Sequence, residues 1–183
     1  MITQASFICL DFHPTIFCRC PNNVLDFYEV IKYVSLHASD LGVDPARIAI
    51  AGESGGGYIC AGAMVQLARQ DEAHLVKLAV PIIPMLSDDS FGDPAAMTTA
   101  EADNAVTQQK VWRLIAGPGV GYAVSIHVHI TVNTIFQFEA ARKDALLFPG
   151  KADEDTLKKM PPTIIWEAEF DLYITEAQRN AES

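Results

Sequence analysis

The sequence predicts an α/β fold, a mostly parallel sheet flanked by helices, and three observations predict it. Short apolar runs alternate with stretches of helical period in the order strand, helix, strand, helix, strand, which is the order of βαβ units. The run Ile48-Ala-Ile-Ala51 is apolar at every position, as strands covered on both faces are. A glycine-rich turn, Gly52 to Gly57, stands between that run and the helical stretch after it.

Ala5 to Phe12 reads as a buried strand, short and apolar, ended at His13-Pro14 because proline cannot continue a ladder. Cys18 to Asn23 is a loop, with Pro21 and two asparagines as breakers. Val24 to Leu41 has a helical period, with Val24, Phe27, Tyr28, Ile31, Val34 and Leu41 near one face and Gly42 in the place of a carboxyl-terminal cap. Asp44 to Arg47 is a turn, Ile48 to Ala51 a strand, Tyr58 to Arg69 a helix and Leu78 to Pro84 a second apolar strand. Ser87 to Ala105 is a polar, acidic excursion, Val106 to Ala116 a helix and Gly117 to Gly121 a breaker. Val124 to Val132 alternates and is β-branched, so it reads as a strand without an assigned place in the sheet. Phe148 to Gly150 is a loop, Lys151 to Lys159 holds a short helix, and Thr163 to Trp166 is a last strand with Asp171 just beyond it. Residues 1–183 are expected to form a single partial domain, with an elbow region over 47–69, an insert over 87–148 and an acid-bearing strand and helix over 161–183.

Bulk properties narrow the function classes. The 183 residues suffice for one domain with a core, and half of them are apolar. A formal net charge of −10 opposes nucleic acid as a partner, because phosphates are repelled. Cys9, Cys18, Cys20 and Cys60 lack zinc-site spacing and read as reduced, mostly buried thiols. No secretory signal is visible near Met1, which favours the cytoplasm while leaving the compartment unknown. Gly119 to Phe138 is the longest apolar-leaning stretch, and His127, His129, Asn133 and Gln137 within it oppose a membrane span.

The turn carries the chemistry. Gly52-Glu53-Ser54-Gly55-Gly56 has the Gly-x-Ser-x-Gly form of a nucleophile elbow, which lifts a serine out of a sharp strand-to-helix turn. A serine hydroxyl attacks well only when a base takes its proton, so it must stand where both base and substrate reach it. Neighbours two residues away must be small, and Gly52 and Gly56 meet that demand. The helix that follows aims its amino end at Ser54 and makes the Gly55 amide an oxyanion-hole donor. A phosphate-binding loop is the rival reading. It would require a lysine at the helix start, and none is present.

The stretch Leu41-Gly-Val-Asp-Pro-Ala-Arg-Ile-Ala-Ile-Ala-Gly-Glu-Ser-Gly-Gly-Gly57 resembles the hormone-sensitive-lipase-like branch of the α/β-hydrolases, the alpha/beta hydrolase fold-3 esterases. Glu53 and Gly55 occupy the two variable places of that branch's motif. Asp11-Phe12-His13-Pro14 and the Val24 helix are similar to the branch's upstream strand, loop and helix. Pro161-Pro-Thr-Ile-Ile-Trp-Glu-Ala-Glu-Phe-Asp-Leu-Tyr-Ile-Thr-Glu176 resembles its strand ending in a catalytic acid. The resemblance implies an α/β-hydrolase-type sheet, incomplete here, and a serine carboxylesterase or lipase-like hydrolase of small to medium acyl esters, with no cofactor. It implies Ser54 as nucleophile and Asp171 as triad acid, with Glu167 and Glu169 as nearby alternatives and Glu176 as a first-turn helix carboxylate. The branch's His-Gly-Gly-Gly loop is absent, and no histidine follows Asp171. A chain truncated at both ends is therefore expected, with self-association through exposed sheet edges.

The five histidines do not complete the triad by themselves. His37 and His74 read as solvated, His13 lies in a loop, and His127 and His129 share one face of a predicted strand without the further ligands that a metal needs. No metal site is expected. Asp88 and Asp89 read as a solvated loop, and Trp112 and Trp166 as core or pocket wall. The alternative function is a catalytically inactive or truncated hydrolase fold that acts only as a binding module.

Overall fold

The computed structural model describes residues 5–11, 21–86 and 143–168. The expected segments over 87–142, together with His13, Cys18, Cys20, Glu169, Asp171 and Glu176, lie outside the described residues.

Helix α1, Asn22–Leu36, starts two residues earlier than its apolar period suggests. Pro21 is its N-cap, and the Pro21 carbonyl accepts from the Leu25 amide at 3.0 Å. The helical period expected as far as Leu41 is broken at His37. There the ring stacks on Tyr33, and Nδ1 lies 2.9 Å from the Tyr33 carbonyl that the His37 amide also approaches. A short helix α2, Ala38–Leu41, follows. The break turns Leu41 outward, while Val24, Tyr28 and Ile31 stay buried. Gly42 closes α2 at φ 66°, as its position suggests, with the Val43 amide reaching the Ala38 carbonyl at 2.9 Å.

Strand β1, Ala49–Glu53, leads through Ser54 directly into helix α3, Gly55–Arg69. Strand β2, Leu78–Ile82, pairs with β1 in parallel, from Ala49 opposite Leu78 to Glu53 opposite Ile82. The segment 163–166 joins the other side of β2, again in parallel, through bridges at Thr163 and Trp166. Helix α4, Glu154–Lys158, is capped by the Asp153 carboxylate, which accepts from the Thr156 amide at 2.7 Å.

The core lies between the sheet and its helices. Ile50 and Ala79 face Cys60, Ala63, Met64 and Leu67 of α3, and Tyr28 and Ile31 of α1 close the cluster. Burial pushes the Cys60 thiol up to about 12, so it remains a thiol and a packing group. Gly62 is where α1 and α3 press together, since a Cβ there would stand 2.8 Å from the Val24 side chain.

Two expectations are corrected. Ala5 to Asp11 carries no strand, and Phe7 is 89% exposed. An apolar run becomes a buried strand only beside a partner, and none of the described strands pairs with it. The run 48–51 is not covered on both faces. Ile50 is buried, whereas Ala49 and Ala51 are exposed, as are Ile164 and Trp166 at 56% and 66%. The strand register puts these exposed residues together on the face opposite the core cluster.

A polar staple ties α1 to the loop after α3. The Tyr28 hydroxyl donates to Glu72 Oε2 at 2.5 Å, and Lys32 Nζ lies 3.3 Å from that hydroxyl and 3.4 Å from Glu72 Oε1. The Tyr28 hydroxyl first, and Lys32 after it, hold the Glu72 carboxyl below its ordinary range. A carboxyl lowered on folding stabilises the fold above its unfolded value, and that contribution is lost as pH falls through the lowered one. Tyr28→Phe is expected to cost about 1.5–3 kcal/mol at neutral pH, the worth of a hydrogen bond to a charged group. Urea denaturation at pH 7 and again at pH 3 measures this, and the gap between wild type and variant is expected to narrow at the lower pH.

Candidate active site

Ser54 occupies the one-residue junction between β1 and α3. Its backbone, at φ 54° and ψ −114°, lies outside the regions open to L-residues, at a cost of about 1–3 kcal/mol. Bonds on both sides hold it there. The Ser54 amide donates to the Ile82 carbonyl at 2.9 Å, extending the ladder one residue past β1, and the Ser54 carbonyl accepts from the Tyr58 amide at 2.9 Å, the first turn of α3.

Ser54 is thus the N-cap of α3, yet its side chain makes no capping bond. A serine in that position ordinarily spends its hydroxyl on the first-turn amides. Here the residue is exposed and the hydroxyl is not used to close the helix. The first-turn amides, from Gly55 onward, have no partner within the helix by its geometry, and they carry the positive end of its dipole.

Steric demand in the turn falls differently from the sequence reading. A Cβ on Gly52 would run into the Gly56 carbonyl, so glycine is required there as expected. At Gly56, by contrast, a Cβ would meet nothing within 4 Å, because that α-carbon faces open space. The second tight position is Gly57, where a Cβ would lie 2.8 Å from the Ile82 carbonyl oxygen and 3.1 Å from the Pro84 Cα. Gly55 has open space as well. The run of three glycines signals one close approach without saying which residue makes it.

The three parallel segments end level with one another, Glu53 opposite Ile82 and Ile82 opposite Trp166. Ligands of open α/β sheets bind outside the carboxyl ends of the strands, and Ser54 stands at that edge. Of the acids considered in the sequence, Glu167 alone falls among the described residues. It is half-buried and directly follows Trp166. Ile83, expected as part of a strand running to Pro84, leaves β2 instead with φ 41°. Among the described residues no group of three or more His, Cys, Asp and Glu side chains could hold a metal ion. Nor is any helix among them long and apolar enough to cross a membrane.

A family model described as alpha/beta hydrolase fold matches residues 3–183. The chain belongs to the alpha/beta hydrolase fold-3 family. Carboxylesterase NlhH of Mycobacterium tuberculosis is 28% identical to it over 168 residues, which is 92% of this chain and 47% of that protein. The chain thus spans about half the length of the curated relatives it matches. Carboxyl esterase 2 from the mycorrhizal fungus Tuber melanosporum has the same fold, with a TM-score of 0.64 at 21% identity over 94% of this chain and 50% of that one. A thermostable esterase from Pseudomonas putida matches at 0.60, with 20% identity over 93% and 50%. The strained junction, the level strand ends and the glycine contacts at Gly52 and Gly57 form one arrangement around Ser54.

Proposed function

We propose that the chain carries the nucleophile half of a serine carboxylesterase acting on small to medium acyl esters. Ser54 Oγ attacks the ester carbonyl, and the alkoxide of the tetrahedral intermediate lies against the Gly55 amide. Asp171 is the triad acid by resemblance. It holds a histidine in the tautomer that accepts the Ser54 proton, then stabilises the imidazolium while that proton passes to the leaving alcohol. Family order puts this histidine after the acid. The reading needs no cofactor.

The observation that carries this reading is the serine itself, strained, exposed and spared from helix capping at the carboxyl edge of the sheet. Membership of a family whose curated relatives include a carboxylesterase supports the choice of ester as substrate. A short-chain p-nitrophenyl ester and a fluorophosphonate probe test it. With a histidine supplied after Asp171, turnover is expected, with the probe found on the Ser54 peptide by mass spectrometry. Absence of both in that protein overturns the esterase reading in favour of a hydrolase fold that only binds.

A further inference from the structure

Ile83 is, with Ser54 and Asp71, one of three non-glycine residues at positive φ among the described residues. It is β-branched and precedes Pro84, and each property favours extended backbone, yet φ is 41°. A conformation so disfavoured persists only where its surroundings determine it. Those surroundings are the elbow and the segment 163–166. The carbonyl just before Ile83, that of Ile82, accepts from the Ser54 amide at 2.9 Å. The Ile83 amide donates to the Trp166 carbonyl at 2.7 Å. Beyond the turn, Pro84 comes under the first turn of α3, its Cα 3.1 Å from where a Cβ of Gly57 would stand. One peptide unit, Ile82–Ile83, therefore bonds on one side to Ser54 and on the other to Trp166, and the turn at Ile83 that follows it sends the chain beneath the serine's helix.

We propose that Ile83 is a positioning residue for the elbow: its positive-φ turn fixes the end of β2, where the Ile82–Ile83 peptide bridges the Ser54 amide and the Trp166 carbonyl, and so sets the spacing between the serine and the segment 163–166. This rests on the reading of Ser54 as nucleophile. The turn, more than the side chain, does the positioning. Glycine adopts positive φ freely and alanine does not.

The test compares Ile83→Gly with Ile83→Ala in the full chain. In ordinary strand or helix backbone alanine is the more stable of the two, and at positive φ the order reverses. Ile83→Gly is expected to melt about 2 °C or more above Ile83→Ala. By hydrogen exchange, the Ser54 amide is expected to keep wild-type protection within about threefold in the glycine variant and to exchange on the order of tenfold faster in the alanine variant. Fluorophosphonate labelling of Ser54 should follow the same order, a readout that loss of packing elsewhere does not move. An alanine variant that melts at or above the glycine variant, or a Ser54 amide equally protected in both, overturns the proposal. Failure of the wild type to label sinks the nucleophile reading instead, and the amide order still decides the role of Ile83.

Discussion

Ser54→Ala is expected to remove all fluorophosphonate labelling at this position and, where a histidine is supplied after Asp171, to lower p-nitrophenyl ester turnover by on the order of a thousandfold or more, since the attacking oxygen is gone while the amides remain. Loss of the nucleophile alone does not separate a strained elbow from an ordinary reactive serine, so a second substitution is paired with it. Ser54→Gly removes the same hydroxyl and also the Cβ that makes φ 54° and ψ −114° costly. The glycine variant is expected to be equally unreactive and more stable than the alanine variant by about 1–3 kcal/mol, the strain carried by the residue. For a chain of this length each kcal/mol raises the melting temperature by about 2–4 °C, so two thermal melts suffice. Equal melting temperatures would show that the backbone at Ser54 stores no strain.

Gly52→Ala and Gly57→Ala are expected to destabilise the fold by about 3 kcal/mol or more each, at the upper end of overpacking costs. The reason is the identity of the atoms met. At Gly52 the new methyl lands on the Gly56 backbone, and at Gly57 on the Ile82 carbonyl and the Pro84 Cα. Backbone at a doubly bonded junction cannot step aside as the end of a flexible side chain does. The Ile82 carbonyl is also the acceptor for the Ser54 amide, so relief at Gly57 would be taken from the nucleophile's own support. Gly56→Ala is the control and is expected to lie within about 0.5 kcal/mol of wild type, because its Cβ enters open space. Chemical denaturation of the three variants gives the ordering, and a Gly56→Ala loss as large as the others would refute the steric account.

The strand–turn–helix unit was legible in the sequence because its signals are local: an apolar run, a Gly-x-Ser-x-Gly turn and a small-residue helical period occupy adjacent residues. What the sequence misplaced depends on distant partners. Gly56 satisfies the motif, but the close approach is at Gly57, and it is made by the end of a strand some 25 residues onward. The helical period ran through His37, where a ring and an amide converge on one carbonyl and interrupt it. Leu78 to Pro84 is uniformly apolar, so nothing in it marks Ile83 as the residue that turns. Ala5 to Asp11 has a strand's composition without a described neighbour to pair with. The triad acid was inferred from resemblance alone, and Asp171 lies outside the described residues.

The pairing order has a consequence in time. Ala49 to Ile82 contains both strands of the first parallel pair, so β1, the elbow and β2 can close soon after Ile82 leaves the ribosome. Thr163, the partner of Ala79 on the other side, is made about 80 residues later, roughly 4–16 s at ordinary rates of synthesis. Through that interval the Ile82 carbonyl has its bond to Ser54 while the Ile83 amide lacks the one to Trp166, and the outer edge of β2 is an open template. Ribosome-bound chains stalled before residue 163 are the stage at which a chaperone that shields strand edges has the most to cover.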